Sequence, residues 1–341
     1  MMKPSSKIKH PNLIILILSL LLLLLIGISF LLGRYPVPLR ELLGILAGRI
    51  FPITPFWTER MQFIVFNVRL PRIFAACLVG CSLSAAGAAY QGVFQNPMAS
   101  PDILGATAGA AFGAALAILL SGSSRLIMLS AFCFSLLTVL LVWLISLRAR
   151  GSRVLGLILS GIMISSLFSA GTSFLKLVAD PTDQLPAITY WLMGSLAGIK
   201  ANDLLFVTIP MLGGLLILLL LRWRINILTL GDDQARTMGI NAKMLRLLVI
   251  LASTLITAAA VSVSGMIGWV GLVIPHLSRR LVGSNYRLLL PVSMLFGALF
   301  LLLVDNVSRN LLAIEIPIGI LTALIGAPFF LYLITGKGEQ L

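Results

Sequence analysis

Charged side chains are scarce in this sequence of 341 residues. Asp, Glu, Lys and Arg make up only 11% of the chain, whereas 59% of its residues are hydrophobic and the mean hydropathy is +1.07. A water-soluble domain could not bury so much apolar surface. The apolar residues occur in blocks, and a block of about 20 residues is long enough to cross a bilayer core. We therefore predict an all-α integral membrane protein.

Cysteine and histidine are also scarce, with three and two residues. Three cysteines cannot build a disulfide framework. Cys77 and Cys81 are four residues apart, but their apolar block contains no His or acidic residue, so we interpret them as packing residues and not as metal ligands. His10 and His276 lie near predicted span ends, which argues against an intramembrane enzyme. We expect no catalytic, metal or cofactor site.

The sequence lacks a G-x-x-x-x-G-K-S/T phosphate loop, and its only Gly-Lys pair is Gly336-Lys337. The chain therefore does not bind a nucleotide by that route, and we find no nucleic-acid-binding motif. No His or carboxylate falls in the middle of a predicted span, because Lys176 and Asp305 lie near outer ends. This argues against a proton-coupled carrier, although an ion-gradient-driven secondary transporter remains the alternative function.

About ten transmembrane helices are predicted in a single permease domain that comprises residues 1–341. An even number of spans places both termini on one side of the membrane. The predicted spans are 12–32, 73–93, 103–121, 126–147, 154–178, 204–221, 247–264, 266–283, 288–304 and 317–335.

Basic residues indicate the orientation of these spans. The start "MMKPSSKIKHPN" is basic and precedes an apolar run that is too long for a signal-peptide core, so both termini are predicted to be cytoplasmic. Ten of the 25 basic residues then lie outside, and six of these fall between Arg34 and Arg72. This first external loop is an exception to the positive-inside rule and needs its own explanation.

The most polar insertion, residues 222–246, lies between the sixth and seventh predicted spans and contains "LGDDQARTMG". Gly231 is expected to end one short helix, Asp232 to cap the next, and Gly239 to stop it. A solvated loop would need neither the paired Asp232 and Asp233 nor the small Ala235. The pattern therefore favours a cytoplasmic docking surface.

Five stretches together resemble the permease subunits of ABC importers for iron-siderophores, haem and cobalamin, the FecCD or BtuC-like family. The resemblance covers about residues 60–336, and it implies a type II ABC importer permease fold. The stretches are "RLPR" at 69–72, "QNPMASPDILG" at 95–105, "LGDDQARTMG" at 230–239, "GMIGWVGLVIPH" at 265–276 and "EIPIGILTALIGAPFF" at 315–330.

The resemblance also implies partners and contact residues. A pair of ATPase subunits would bind the coupling segment, an extracytoplasmic substrate-binding protein would present glutamates to three arginines, and a second permease subunit would complete the pore. Anchoring of helix ends at the membrane interface is the alternative role of the arginines. The implied coupling residues are Gly231, Asp232, Asp233, Ala235, Arg236 and Gly239, and the implied docking arginines are Arg69, Arg72 and Arg309.

The fifth predicted span is the richest in hydroxyl groups. Ser165, Ser169 and Thr172 follow at i, i+4 and i+7, with Ser166 and Ser173 beside them, and this stripe can face a water-filled path or bond to a neighbouring helix. The turn before this span resembles the cytoplasmic gate of the family, which makes Gly151 and Ser152 the gate candidates. Gly-rich spans that end in turns at Pro97 and Pro275 indicate an inverted internal repeat.

We therefore expect a multi-pass permease of the bacterial or archaeal cytoplasmic membrane, surrounded by lipid and driven by ATP hydrolysis on a separate chain. Its cargo would be a ferric siderophore or a related bulky cofactor such as haem or cobalamin, and the sequence also admits an oxyanion. Homodimer and heterodimer are both compatible with the sequence.

Overall fold

The computed structural model describes residues 11–148 and 153–335, and all regular secondary structure in these ranges is helical. A π-helical turn, Ile64–Arg69, joins α3 to α4, and a 3-10 turn, Pro101–Leu104, precedes α5. The α-helices are α1 (Pro11–Leu31), α2 (Leu39–Ala47), α3 (Glu59–Phe63), α4 (Leu70–Val93), α5 (Ala106–Leu119), α6 (Ser124–Ser146), α7 (Arg153–Val178), α8 (Gln184–Met193), α9 (Ala201–Leu228), α10 (Asp232–Thr237), α11 (Ala242–Ser264), α12 (Val270–Val282), α13 (Tyr286–Asn310) and α14 (Ile318–Thr335).

The predicted all-α membrane fold is confirmed, since each of the ten predicted spans contains a helix. Among the described residues, seven helices are long and apolar enough to cross a membrane. The other three predicted spans contain the shorter helices α5, α12 and α14. The second span begins earlier than predicted, because its helix runs without a break from Glu59 to Val93. The "RLPR" stretch therefore lies inside this span and not before it.

Helix α4 is the centre of the bundle, and 83% of its most apolar window is buried. It packs against α13, α11 and α12. Its small side chains let these neighbours approach closely: a Cβ atom added at Gly80 would lie 2.2 Å from the Gly297 carbonyl oxygen, and one at Gly87 would lie 1.8 Å from that of Gly271. Such contacts between backbones are the usual basis of helix association in lipid.

Two of the spans are only partly helical. In the first, the irregular residues 97–105 precede α5, whose Gly113 packs against Ser130 near the start of α6. In the second, the irregular residues 265–269 precede α12, which lies near the end of α4, where the Gln91 amide donates a hydrogen bond to the Leu272 carbonyl. The helical parts thus occupy opposite halves of the bundle, which is the arrangement that an inverted repeat predicts. Pro275, which was predicted to lie in a turn at the end of its span, instead lies inside α12.

We predict that Gly87→Ala destabilises the protein by about 1–3 kcal/mol, because the added methyl group overpacks the contact with Gly271. Thermal unfolding of the purified protein in detergent measures this effect. Gly213→Ala in α9 is the matched control, since a Cβ atom there meets nothing within 4 Å. Equal unfolding temperatures for the two variants would contradict the proposed role of the glycine contact.

Candidate docking sites and transport path

Helix α10 forms a short turn between α9 and α11 at one end of the bundle, which we call the α10 end. Gly231 and Gly239 flank it with φ angles of +115° and +76°. Residues with a Cβ atom rarely adopt such angles, so glycine is the natural residue at both points. The sequence therefore located the limits of this helix correctly. The next helix, α11, begins after Asn241, whose side chain caps it by accepting a hydrogen bond from the Met244 amide.

Two coupling residues are placed differently from the prediction. Asp232 does not cap α10 with its side chain, because its carboxylate lies 2.8 Å from Nη2 of Arg246, a buried residue of α11. Ala235 is fully buried and therefore cannot contribute its side chain to an outward face. Both residues instead fix α10 against the rest of the chain.

The outward face of α10 consists of the side chains of Asp233, Gln234 and Arg236. Leu230 and Met238 lie on either side of the helix and are 57% and 56% exposed. These two apolar residues were not predicted as contact residues, although an apolar residue at each end of a polar turn is a signal that the sequence contains. Together the five side chains form a mixed apolar and charged knob.

The knob is connected to the core of the bundle by hydrogen bonds. The Gln95 amide, just after α4, donates to the Leu228 carbonyl at 2.7 Å. The backbone N–H of Tyr286, at the start of α13, donates to the Asn226 side chain at 3.1 Å. The end of α9 is thereby attached to two other spans, so a displacement of α10 would be passed to them.

A cluster of buried charges lies at the opposite end, which we call the Arg72 end. Arg72 places Nε 2.9 Å from Asp305 of α13, and its Nη1 atom lies 2.9 Å from the carboxylate of Glu315. Asp305 also lies 3.3 Å from Nε of Arg309, one helical turn further along α13. These contacts join α4, α13 and the segment that leads into α14.

The other arginines of this cluster are occupied within the chain. Arg69 donates hydrogen bonds to the carbonyl groups of Phe30 and Tyr35. Arg309 donates to the side chain of Asn306. Arg69, Arg72 and Arg309 are all buried, which corrects the expectation of three arginines on the external surface. Desolvation explains the pairing, because a buried charge without a partner is costly.

A cavity of about 520 Å³ opens beside Arg72. The start of α9 forms one wall with Lys200 and Asn202, and Asn67 contributes a further polar group. Within the described part of the chain, Nη2 of Arg72 has no hydrogen-bond partner, but this atom is buried and is not exposed to the cavity. The cluster contains three arginines and two carboxylates, so one positive charge is in excess there. The cavity is therefore suited to an incoming carboxylate.

The hydroxyl groups predicted to form one stripe on α7 are divided between two faces of the helix. Thr172 is buried, and Ser165 packs against the Gly105 backbone, so neither faces the outside of the chain. The exposed hydroxyl groups are those of Ser166, Ser169 and Ser173. Of Ser165, Ser169 and Thr172, only Ser169 lies on the exposed face.

Helices α7 and α14 are loosely covered by the rest of the chain. Only 22% of the apolar window of α7 is buried, and α14 exposes Leu324, Ile325 and Leu331. A second polypeptide can pack on these faces. The gate candidates Gly151 and Ser152 lie outside the described residues.

Comparison with known proteins places these features in a family. The FecCD transport family model matches residues 20–336. The molybdate import system permease protein MolB of Haemophilus influenzae is 45% identical over 315 residues, which cover 92% of each chain. A probable iron chelatin transport system permease protein of Helicobacter pylori is 43% identical over 274 residues, or 80% of this chain and 83% of the relative.

The fold agrees with the same assignment. A solved structure, described as an inward-facing conformation of a metal-chelate type ABC transporter, matches with a TM-score of 0.85 and 44% identity, and the match covers 95% of this chain and 99% of the other. Sequence, span arrangement and fold lead to one conclusion: the chain belongs to the FecCD transport family, as a multi-pass permease subunit of an ABC importer.

Proposed function

We propose that two copies of this permease form a pore in the cytoplasmic membrane of a bacterium or archaeon. Two ATPase subunits bind at the α10 end of the pore, and a substrate-binding protein docks at the Arg72 end. The observation that supports this proposal is that the two opposite ends of one bundle are built differently, with an exposed mixed apolar and charged knob at one end and a cavity beside a cluster of buried charges at the other. Both termini are then cytoplasmic, and ATP hydrolysis occurs on the partner chain.

The α10 knob fits a groove on a cytoplasmic ATPase. Leu230 and Met238 supply apolar contact area, while Asp233, Gln234 and Arg236 supply polar contacts between them. The ion pair between Asp232 and Arg246 holds the knob rigidly, and a rigid element transmits a displacement whereas a mobile loop would absorb it.

We predict that the double substitution Leu230→Asp and Met238→Asp abolishes co-purification of the permease with its ATPase, because it puts two desolvated carboxylates into the interface. Co-purification after coexpression is the measurement. Leu312→Asp is the matched control, since Leu312 is 59% exposed after α13, at the Arg72 end, and it should retain the ATPase. Retention of the ATPase by the double variant would argue against docking on α10.

Docking of the binding protein is proposed to use the cavity beside Arg72. A glutamate from the binding protein can enter this cavity beside Arg72, with Lys200 at the rim. Arg69 and Arg309 contribute positive charge nearby, but their own donors are directed into the chain, and Arg309 also lies 3.3 Å from Asp305. Interface charges of this kind mainly raise the association rate and orient the partner.

We predict that Lys200→Glu weakens docking of the binding protein by about tenfold, since it reverses a charge at the rim of the cavity. Basal ATPase activity in proteoliposomes should not change, whereas its stimulation by the binding protein should need a correspondingly higher concentration. Arg125→Glu serves as the control, because Arg125 is exposed at the start of α6 and does not line this cavity. Identical behaviour of the two variants would place docking elsewhere.

The transport path is proposed to lie between the α7 and α14 faces of two copies, which also places the exposed Ser166, Ser169 and Ser173 along the path. Weakly polar hydroxyl groups allow a bulky cargo to pass without being held. Gly151 and Ser152 remain the proposed cytoplasmic gate. A homodimer is the simplest assembly, and a heterodimer with a similar permease would use the same faces.

We propose an iron chelate, such as a ferric siderophore, or a related bulky cofactor such as haem or cobalamin as the cargo, on the basis of the family and of the relative named for iron chelatin. Molybdate is the second candidate, because the Haemophilus influenzae relative at 45% identity is named for molybdate import. The hydroxyl stripe is compatible with either cargo.

Uptake by the reconstituted importer distinguishes these cargos. We predict ATP-dependent accumulation of a ferric siderophore in proteoliposomes that contain the permease, its ATPase and its binding protein, with no accumulation when the ATPase is omitted. Uptake of labelled molybdate under the same conditions would instead establish the oxyanion as cargo. Uptake driven by an ion gradient without the ATPase would refute the importer mechanism and support a secondary transporter.

A further inference from the structure

The segment between α1 and α3 contains a short amphipathic helix at the Arg72 end. In α2, Leu39, Leu43 and Leu46 follow at i, i+4 and i+7 and form one exposed apolar stripe. Leu42 and Ile45 on the neighbouring face are buried against the chain. The helix therefore has apolar residues both toward the protein and away from it.

The segment after α2 folds back onto it in a defined way. A Cβ atom added at Gly44 would lie 2.4 Å from the ring of Phe56 and 2.8 Å from that of Trp57, and one at Gly48 would lie 2.9 Å from Trp57. The two rings pack edge to face with 5.0 Å between their centroids. Glycine at these two positions thus lets the aromatic pair lie directly on α2. The segment is therefore packed in a specific conformation against the helix.

Three arginines surround this segment, and each makes a cation–π contact with an aromatic ring. The guanidinium of Arg40 lies 5.2 Å from the ring centroid of Phe56, that of Arg49 lies 4.7 Å from Phe66, and that of Arg60 lies 5.3 Å from Tyr35. All three arginines are exposed. Stacking on a ring leaves the edge donors of the guanidinium free, and these donors match the geometry of a phosphate group.

The surroundings of the segment are those of a membrane interface. Helix α1, which ends at Leu31, has only 17% of its apolar window buried and so presents its leucines to lipid. Eight residues later α2 begins, and the exposed Ile50, Phe51 and Phe63 follow it. Amphipathic helices, aromatic rings and arginines together are typical of the headgroup region of a bilayer.

We propose that residues 34–63 form an interfacial anchor in the leaflet at the Arg72 end, with the leucine stripe of α2 inserted among acyl chains and Arg40, Arg49 and Arg60 bound to anionic phospholipid phosphates. Four arginines and two glutamates lie in these residues, which leaves an excess of two positive charges for the lipid. This anchor accounts for four of the six basic residues between Arg34 and Arg72, because Arg69 and Arg72 are buried in the chain.

A reversibly docking soluble protein fits the same surface poorly. Each time that protein left, the leucine stripe and the exposed phenylalanines would be returned to water, which disfavours a large apolar patch on a transiently free surface. Lipid covers the patch permanently. The cavity beside Arg72 offers its own polar groups to a protein partner, and Arg40, Arg49 and Arg60 are not among its lining residues.

The depth of α2 is tested with a nitroxide label at Leu43→Cys in the full chain, reconstituted in liposomes, with Cys77, Cys81 and Cys133 replaced by Ala. We expect the label to collide more with oxygen than with a water-soluble nickel complex. A label at Thr182→Cys, in an exposed turn, is the aqueous reference. Equal exposure of the two labels to nickel would overturn the proposal.

The charge contribution is tested by native mass spectrometry of the permease with phosphatidylglycerol and phosphatidylcholine. Each arginine near an anionic surface contributes about a fivefold preference, so Arg40→Gln, Arg49→Gln and Arg60→Gln together should lower the ratio of bound phosphatidylglycerol to phosphatidylcholine at least about tenfold. Arg125→Gln should leave the ratio unchanged, and the corresponding triple Lys variant should retain most of it.

The outcomes separate this anchor from docking of the binding protein. Should the triple variant fail to fold, Arg40→Gln alone, at the exposed Phe56 ring, should lower the lipid ratio about fivefold. An unchanged ratio in whichever of these variants folds would overturn the proposal. So would an unchanged ratio that accompanies loss of stimulation by the binding protein, because the arginines would then serve that partner.

Discussion

Backbone N–H and C=O groups have no water to bond inside a bilayer, and this constraint determines where the irregular segments of the protein can lie. The turn after α8, the end of α11 and the start of α14 satisfy one another: the Ser195 amide donates to the Ser264 carbonyl at 2.8 Å, and the Ile318 amide donates to the Gly194 carbonyl at 2.9 Å. The close approach needs Gly194 and Gly265, whose φ angles are +73° and +68°. Broken spans are thus possible only where they are enclosed by other helices.

The same constraint acts on charged side chains and explains the burial of the arginines. Asp305 is completely buried and has Arg72 and Arg309 beside it, so each charge compensates another. A pair such as Asp232 and Arg246 at the α10 end is less demanding, because Asp232 keeps 42% of its side chain exposed. The position of Arg72 is therefore set by its two carboxylate partners inside the chain.

Hydropathy and glycine placement were sufficient to predict the spans and the limits of α10, because both are local properties of the sequence. The partners of Arg72 could not be predicted, since Asp305 and Glu315 lie 233 and 243 residues away along the chain. The sequence also did not show which hydroxyl groups of the predicted stripe on α7 are exposed and which are turned into the chain. Neighbouring residues of a helix differ by about 100° in direction, and with apolar residues all around this helix no stronger pattern distinguished Thr172 from Ser173.

Helix α9 borders both proposed docking sites. Its first residues line the cavity beside Arg72, and its last residue stands next to the turn that leads into α10. With 28 residues it is about 42 Å long, enough to extend across the hydrocarbon core and beyond. Helix α11 packs along it, and Gln95 attaches its end to the central α4. A displacement imposed on α10 therefore moves a helix whose other end forms the wall of the opposite cavity. Communication between the two ends would then require no contact between the proposed partners, only that α9 moves as one helix past Pro210, where a backbone hydrogen bond is missing.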